Sequence, residues 1–317
     1  MTIFEKAMIN DIEYFKNNTY DINIQNKDGK SLLHYAVLGS AFEVIKELIK
    51  RGININILDN NNESAIFDCA RKAKIEIAKI LIINNINLNQ KNKQGESLIH
   101  LASYKGDRDF INLLVENDIK INTTTNEGLY PVHYAVISSN INIIKPLLNI
   151  SNQSFLLKDK NNNSLLHYAT KTTNDLLIYF LISEGININL MNNDFETPLF
   201  NAARFGTRET VLALLNNDAY IDIKNNKRET PHDLALAYDN LKVETLLNNY
   251  QMLPKYERLI KKESLIIATL NRSYNLLEHL INNKTPLTHD KFNYTALDYA
   301  KMYNLKEAIK IINKNSY

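Results

Sequence analysis

The chain has 317 residues, 44% of them hydrophobic, with 37 basic against 35 acidic side chains and a single cysteine, Cys69. A net charge of +2 excludes bulk electrostatic attraction to nucleic acid or to a membrane surface, and one thiol excludes a disulfide framework and a zinc site of four thiolates. The length exceeds what one compact core usually spans, so the alternatives are two globular domains or one elongated stack.

The N-terminal stretch MTIFEKAMINDIEYFK is interrupted by Glu5, Asp11 and Glu13 and reads neither as a signal peptide nor as a membrane helix. No later segment reaches the roughly 18 continuous apolar residues that a span needs. A cytoplasmic protein is expected, with export as a host-directed effector without a Sec signal as the alternative. Beyond a half-copy at Thr2, one phrase recurs: SLLHYA from Ser31, SAIFDC from Ser64, SLIHLA from Ser97, YPVHYA from Tyr130, SLLHYA from Ser164, TPLFNA from Thr197 and TPHDLA from Thr230. The intervals are 33, 33, 33, 34, 33 and 33 residues, with weaker copies at Glu263 and Thr295. A fixed period of this size is the mark of a repeat array and decides for the stack.

Each period has the same plan. The Ser or Thr is an N-cap whose hydroxyl takes free N–H groups of a first helical turn, and Pro131, Pro198 and Pro231 follow where a missing N–H costs nothing. Small residues five positions on (Ala36, Cys69, Ala102, Ala135, Ala169, Ala202, Ala235, Ala268, Ala300) let neighbouring first helices approach closely. A second helix follows, such as 43–49 or 209–215, with apolar residues at helical spacing. It gives way to alternating stretches such as Ile53-Asn54-Ile55-Asn56, with a polar residue eight positions before the anchor at Asn23, Asn56, Asn89, Asn122, Asn189 and Asp222. Gly29, Gly95 and Gly128, or Asn62, Asn162 and Asn293, stand two positions before their anchors, where a tight turn needs a left-handed residue.

Departures are local. Pro146 falls inside a second helix and predicts a kink, and residues 150–157 lose the Ile-Asn alternation and carry the extra residue. His232 takes a slot that is otherwise buried Leu, the turn text is lost between Leu247 and Glu263, and Thr285-Pro286-Leu287 resembles an anchor out of phase. No phosphate-cradling loop, metalloprotease His pair or nucleophile elbow is present, so no enzyme, no cofactor and no metal are expected. His34, His100, His133 and His167 each fall in a different repeat, about one helix spacing apart, too far to share an ion.

A β-turn finger plus two antiparallel helices in about 33 residues, with Thr-Pro-Leu-His-like text at the first helix, resembles the ankyrin repeat over the whole chain. The resemblance implies an all-α repeat solenoid, a curved stack of about ten helix-turn-helix units with short β-turn fingers. In that plan residues 1–30 form an N-terminal capping unit, 31–249 seven regular repeats, and 250–317 divergent repeats and a C-terminal cap. It implies that the histidines bond neighbouring finger backbone, and that a protein partner lies in a concave groove formed by fingers and first helices. Carried over by position, the fingertip contacts include Glu63, Glu96, Glu127, Glu196 and Glu229, and the helix-end contacts are Arg71, Lys72, Tyr104, Lys105, Lys171, Arg204, Phe205, Tyr238 and Tyr303. Aromatic and Arg side chains concentrate binding energy, which singles out Tyr104, Arg204, Phe205 and Tyr238. A nucleic-acid groove along Arg71, Lys72, Lys105, Lys171 and Arg204 is the competing reading, opposed by the acidic fingertips. An enzyme seated in 247–293 is the third. A monomeric scaffold or adaptor without a separate C-terminal recruiting module is the expectation.

Overall fold

The computed structural model describes residues 1–254, 259 and 263–314. Among these, all regular structure is helical apart from two isolated antiparallel bridges, Gln25 with Ser31 and Lys158 with Ser164. The chain divides into two compact units, 1–154 and 155–317. The division falls within the irregular stretch 150–157, just after the helix Ile141–Ser151, which runs on through Pro146 rather than ending there.

The first unit is a series of helix pairs: Ile3–Met8 with Ile12–Asn17, Leu32–Gly39 with Phe42–Lys50, Ile66–Lys72 with Ile75–Ile83, Leu98–Lys105 with Arg108–Glu116, and Pro131–Ile137 with Ile141–Ser151. First helices pack on first helices, and from Leu32–Gly39 onward each also packs on its own partner. The small residues at the recurring slot, Ala36, Cys69, Ala102 and Ala135, are fully buried where those helices meet. Burial pushes the Cys69 thiol up to about 12, so it is a neutral packing group, not a nucleophile.

The recurring polar residue of the extended stretch ties one period to the next. The side-chain oxygens of Asn23, Asn56 and Asn89 accept the backbone N–H of Asn54, Asn87 and Lys120 at 2.9, 2.8 and 2.9 Å. Fingers are stitched in the same way: the N–H of Asn60, Lys93 and Asn126 donate to the carbonyls of Asp28, Asn61 and Gln94. Gly29 and Gly95 stand at φ +76° and +79°, and a Cβ on either would lie within 2.7 Å of the following finger's backbone nitrogen, so two separate constraints require glycine.

The second unit repeats the plan with Leu165–Ala169 and Asp175–Ser183, Pro198–Phe205 and Arg208–Leu215, and Pro231–Ala237 and Leu241–Gln251. Its last described pairs are Ser264–Leu270 with Tyr274–Asn282 and Ala296–Met302 with Lys306–Lys314. Residues 285–290 are not helical, so Thr285-Pro286-Leu287 starts no helix. His232 is partly buried and faces Glu244 at 3.1 Å. The expected interruption between Leu247 and Glu263 lies in part outside the described residues. Residues 263–314 pack on the loops at 187–191 and 217–228, more than a repeat away in sequence.

Candidate protein-binding surface

The fingertip glutamates and the helix-end arginines meet. Glu63 is 7% exposed, and the Arg71 guanidinium grips both its oxygens, one at 2.8 Å. Burial opposes ionisation of Glu63, but hydrogen bonds from Arg71 and Asn92 outweigh it and hold the carboxyl below its usual range. Asn92 donates to Glu63 at 2.9 Å and to Glu96 at 2.7 Å, and the Tyr134 hydroxyl donates to Glu96 at 2.5 Å. The second unit builds the same network from residues 133 positions later: Arg204 grips Glu196, 7% exposed, with one bond of 2.6 Å. Asn225 then bridges Glu196 and Glu229 at 3.2 and 2.9 Å. Sequence position placed these groups as an acidic row and a basic row; the structure pairs Glu63 with Arg71 and Glu196 with Arg204, and the cation together with the Asn donor offsets the cost of burying each carboxylate.

What remains in solvent is aromatic and lysine. In the first unit a cleft of about 500 Å³ is lined by Arg71, Glu96, Leu101, Tyr104, Lys105 and Tyr134. Tyr104, 53% exposed, stands edge-on to Tyr134 at 6.4 Å, with Lys105 and Lys72 exposed at the helix ends and Glu127 exposed on its fingertip. In the second unit Phe205 and Tyr238, 57% and 52% exposed, meet edge to face at 5.5 Å, and Arg204 lies over the Tyr238 ring at 5.9 Å. Lys171 is exposed, over the Tyr168 ring at 5.5 Å. Tyr303, also placed at a helix end by position, is instead partly buried, its hydroxyl accepting the Met191 N–H at 2.7 Å.

His34, His100 and His167 hold fingers. Nδ1 of His34, His100 and His167 accepts the N–H of its own anchor serine, at 3.1 to 3.2 Å, leaving Nε2–H to donate to the carbonyls of Glu63, Leu129 and Glu196 at 2.9 to 3.0 Å. Burial pushes His100 and His167 down to about 4, so both rings are neutral at pH 7. Among the described residues no group of three or more His, Cys, Asp or Glu is placed to hold a metal ion, and no helix is long and apolar enough to cross a membrane.

A family model for ankyrin repeats matches residues 3–92, 77–159, 99–192 and 166–257, most of the chain. The chain belongs to the ankyrin-repeat family. It is 25% identical over 168 residues to a putative ankyrin repeat protein of fowlpox virus, FPV031, covering 49% of each chain. It is 29% identical over 140 residues to protein phosphatase 1 regulatory subunit 12A of Mus musculus, covering 44% of this chain and 14% of that one. The chain thus spans about half or less of the length of these curated relatives. The crystal structure of the human ASB11 ankyrin repeat domain superposes with a TM-score of 0.59 at 20% identity, over 69% of this chain and 99% of that one, which shows the fold. Ankyrin repeats are protein-interaction modules, typically non-catalytic, and the surface just described is read in that light.

Two kinds of residue escaped the ankyrin register. Asn92 and Asn225 are the hubs of the paired networks, and the Asn richness of every finger hides them. Tyr134 walls the cleft from the fourth position after its anchor, a slot also filled by Tyr35, Tyr168 and Tyr299, so recurrence was the available signal.

Proposed function

We propose that this ankyrin-repeat protein is a non-catalytic scaffold or adaptor that holds a protein partner at the ends of its first helices. Tyr104 and Lys105 beside the cleft serve in the first unit, and Phe205, Tyr238 and Lys171 in the second. One observation carries the reading: large aromatic side chains stand half in water beside glutamate–arginine pairs that already satisfy one another. Rings already held against one another lose little freedom when covered, which makes them efficient anchors. The mouse relative, by its name a regulatory subunit of a phosphatase, is consistent with a protein that acts by contact. A nucleic-acid groove has less support, since Arg71 and Arg204, two of its five cations, are spent on Glu63 and Glu196.

The test is affinity capture from native lysate with the full chain and with a Tyr104→Ala, Phe205→Ala, Tyr238→Ala variant, read by mass spectrometry. Proteins held by the parent and lost by the variant, with unchanged helical circular dichroism, are expected; equal retention rejects the reading. Arg204 is left intact because its removal strands the buried Glu196 carboxylate, a folding defect that would mimic lost binding.

A further inference from the structure

Eight fingertips carry a residue at positive φ two positions before an anchor: Gly29, Asn62, Gly95, Gly128, Asn162, Phe195, Arg228 and Asn293. Six are Gly or Asn, the residues that tolerate that backbone; Phe195, at +60°, and Arg228, at +67°, are not. The same two fingertips are touched by residues 263–314. The Arg272 guanidinium sits over the Phe195 ring at 4.0 Å, and Tyr303 lies against that ring at 6.3 Å. Arg228 donates to the carbonyl of Asn271 at 3.1 Å.

The loops behind these tips are engaged as well. Asn54, Asn87 and Lys120 hold equivalent places in the first unit and are exposed, whereas Asn187 and Tyr220 in the same register are buried, Tyr220 to 1%. Asn187 donates to the Tyr299 hydroxyl at 2.5 Å, and the Tyr220 hydroxyl donates to Glu263. Arg272 donates to the carbonyls of Lys224 and Asn225 at 2.9 and 2.8 Å, Asn271 pairs with backbone of Asp222 and Lys224, and Lys291 reaches Asp218 at 3.6 Å. Met191, Tyr220, Ile223, Leu265 and Tyr299 share one buried cluster.

We infer that the loop face of residues 187–228 is a protein-docking surface and that its occupant is this chain's own last two helix pairs, residues 263–314. The face is specialised for that occupant: Phe and Arg stand in slots that an ordinary finger gives to Gly or Asn, and each projects a side chain onto residues 271–303. The pairs therefore shield the face from other chains. The inference is independent of where a partner binds.

The experiment uses the full chain with a protease recognition sequence in place of residues 255–258, cut after folding. The C-terminal fragment is expected to stay bound to the remainder through gel filtration at about micromolar concentration. Phe195→Gly and Arg272→Ala should each weaken retention by about tenfold or more, and Leu276→Ala, at an exposed position, should not. Phe195→Gly is decisive, because glycine relieves the backbone: a merely strained turn would hold the fragment as well or better. That outcome, or a fragment that leaves wild-type chain on cutting, overturns the inference.

Discussion

The loop segments 53–58 and 86–91 of the first unit and 186–191 and 219–223 of the second follow one pattern in sequence and meet different surroundings. In the first unit the alternate Asn side chains stay in water and link neighbouring repeats; in the second the corresponding Asn187, Asn189 and Tyr220 are 3% or less exposed, and Asn187 and Tyr220 bond the C-terminal helix pairs. The hydrogen-bond ladder is the same in both, since Asn189 still accepts the Tyr220 N–H at 2.9 Å. Local register is thus a property of the repeat, and burial is a property of what packs on it.

The largest effect that tests this contrast is at Tyr220. Replacing it with Ala removes a buried ring and its hydrogen bond to Glu263, so the second unit should lose about 3–5 kcal/mol in urea denaturation, whereas Asn87→Ala in the matching slot should cost less than about 1 kcal/mol. Equal effects would show that the two faces do not differ.

The histidine latch is a control that should behave alike in both units. His100 and His167 have folded pKa values near 4 against 6.5 for the free ring, so between those values the unfolded chain binds the extra protons. Stability is then complete above pH 6.5, falls as pH drops, and levels off near 4, by an amount on the order of 3 kcal/mol for each ring. In His167→Gln the slope of stability against pH across this window should fall by one proton, measured by urea midpoints at intervals of pH; an unchanged slope rejects the neutral latch.

A smaller contrast comes from the ladder. Asn189→Ala leaves the Tyr220 N–H stranded away from water and should cost about 1–3 kcal/mol, while Asn56→Ala, whose partner N–H water can reach, should cost less than about 1 kcal/mol. Hydrogen exchange at the two amides reads the difference directly. Smallest of all, Lys105→Ala should change stability by less than about 0.5 kcal/mol, since its side chain stands in solvent at the cleft mouth.

Much of this was legible in residue order. The anchors mark the helix starts, the small residues mark the close approaches, and the His and Asn positions follow the same period, because each is decided within one repeat or between nearest neighbours. The candidate surface was legible in part. Tyr104, Phe205 and Tyr238 are exposed at helix ends, but reading Glu63 and Arg71 as separate acidic and basic features failed because eight residues of separation say nothing of pairing across a finger.

The sequence by itself determined the period, the turns and the identity of the core slots, since those rest on backbone hydrogen bonding and steric preference within about 33 residues; the capping role expected of every anchor hydroxyl fails at Ser64, where Ala65 takes the cap position, and at Thr197, whose hydroxyl makes no cap bond. Only the tertiary structure decided that Tyr299 meets Asn187 and Tyr303 meets Met191, each 112 residues away. Contacts at that distance follow no period. They depend on where the last two helix pairs come to rest, and burying their apolar side chains against those loops selects the place.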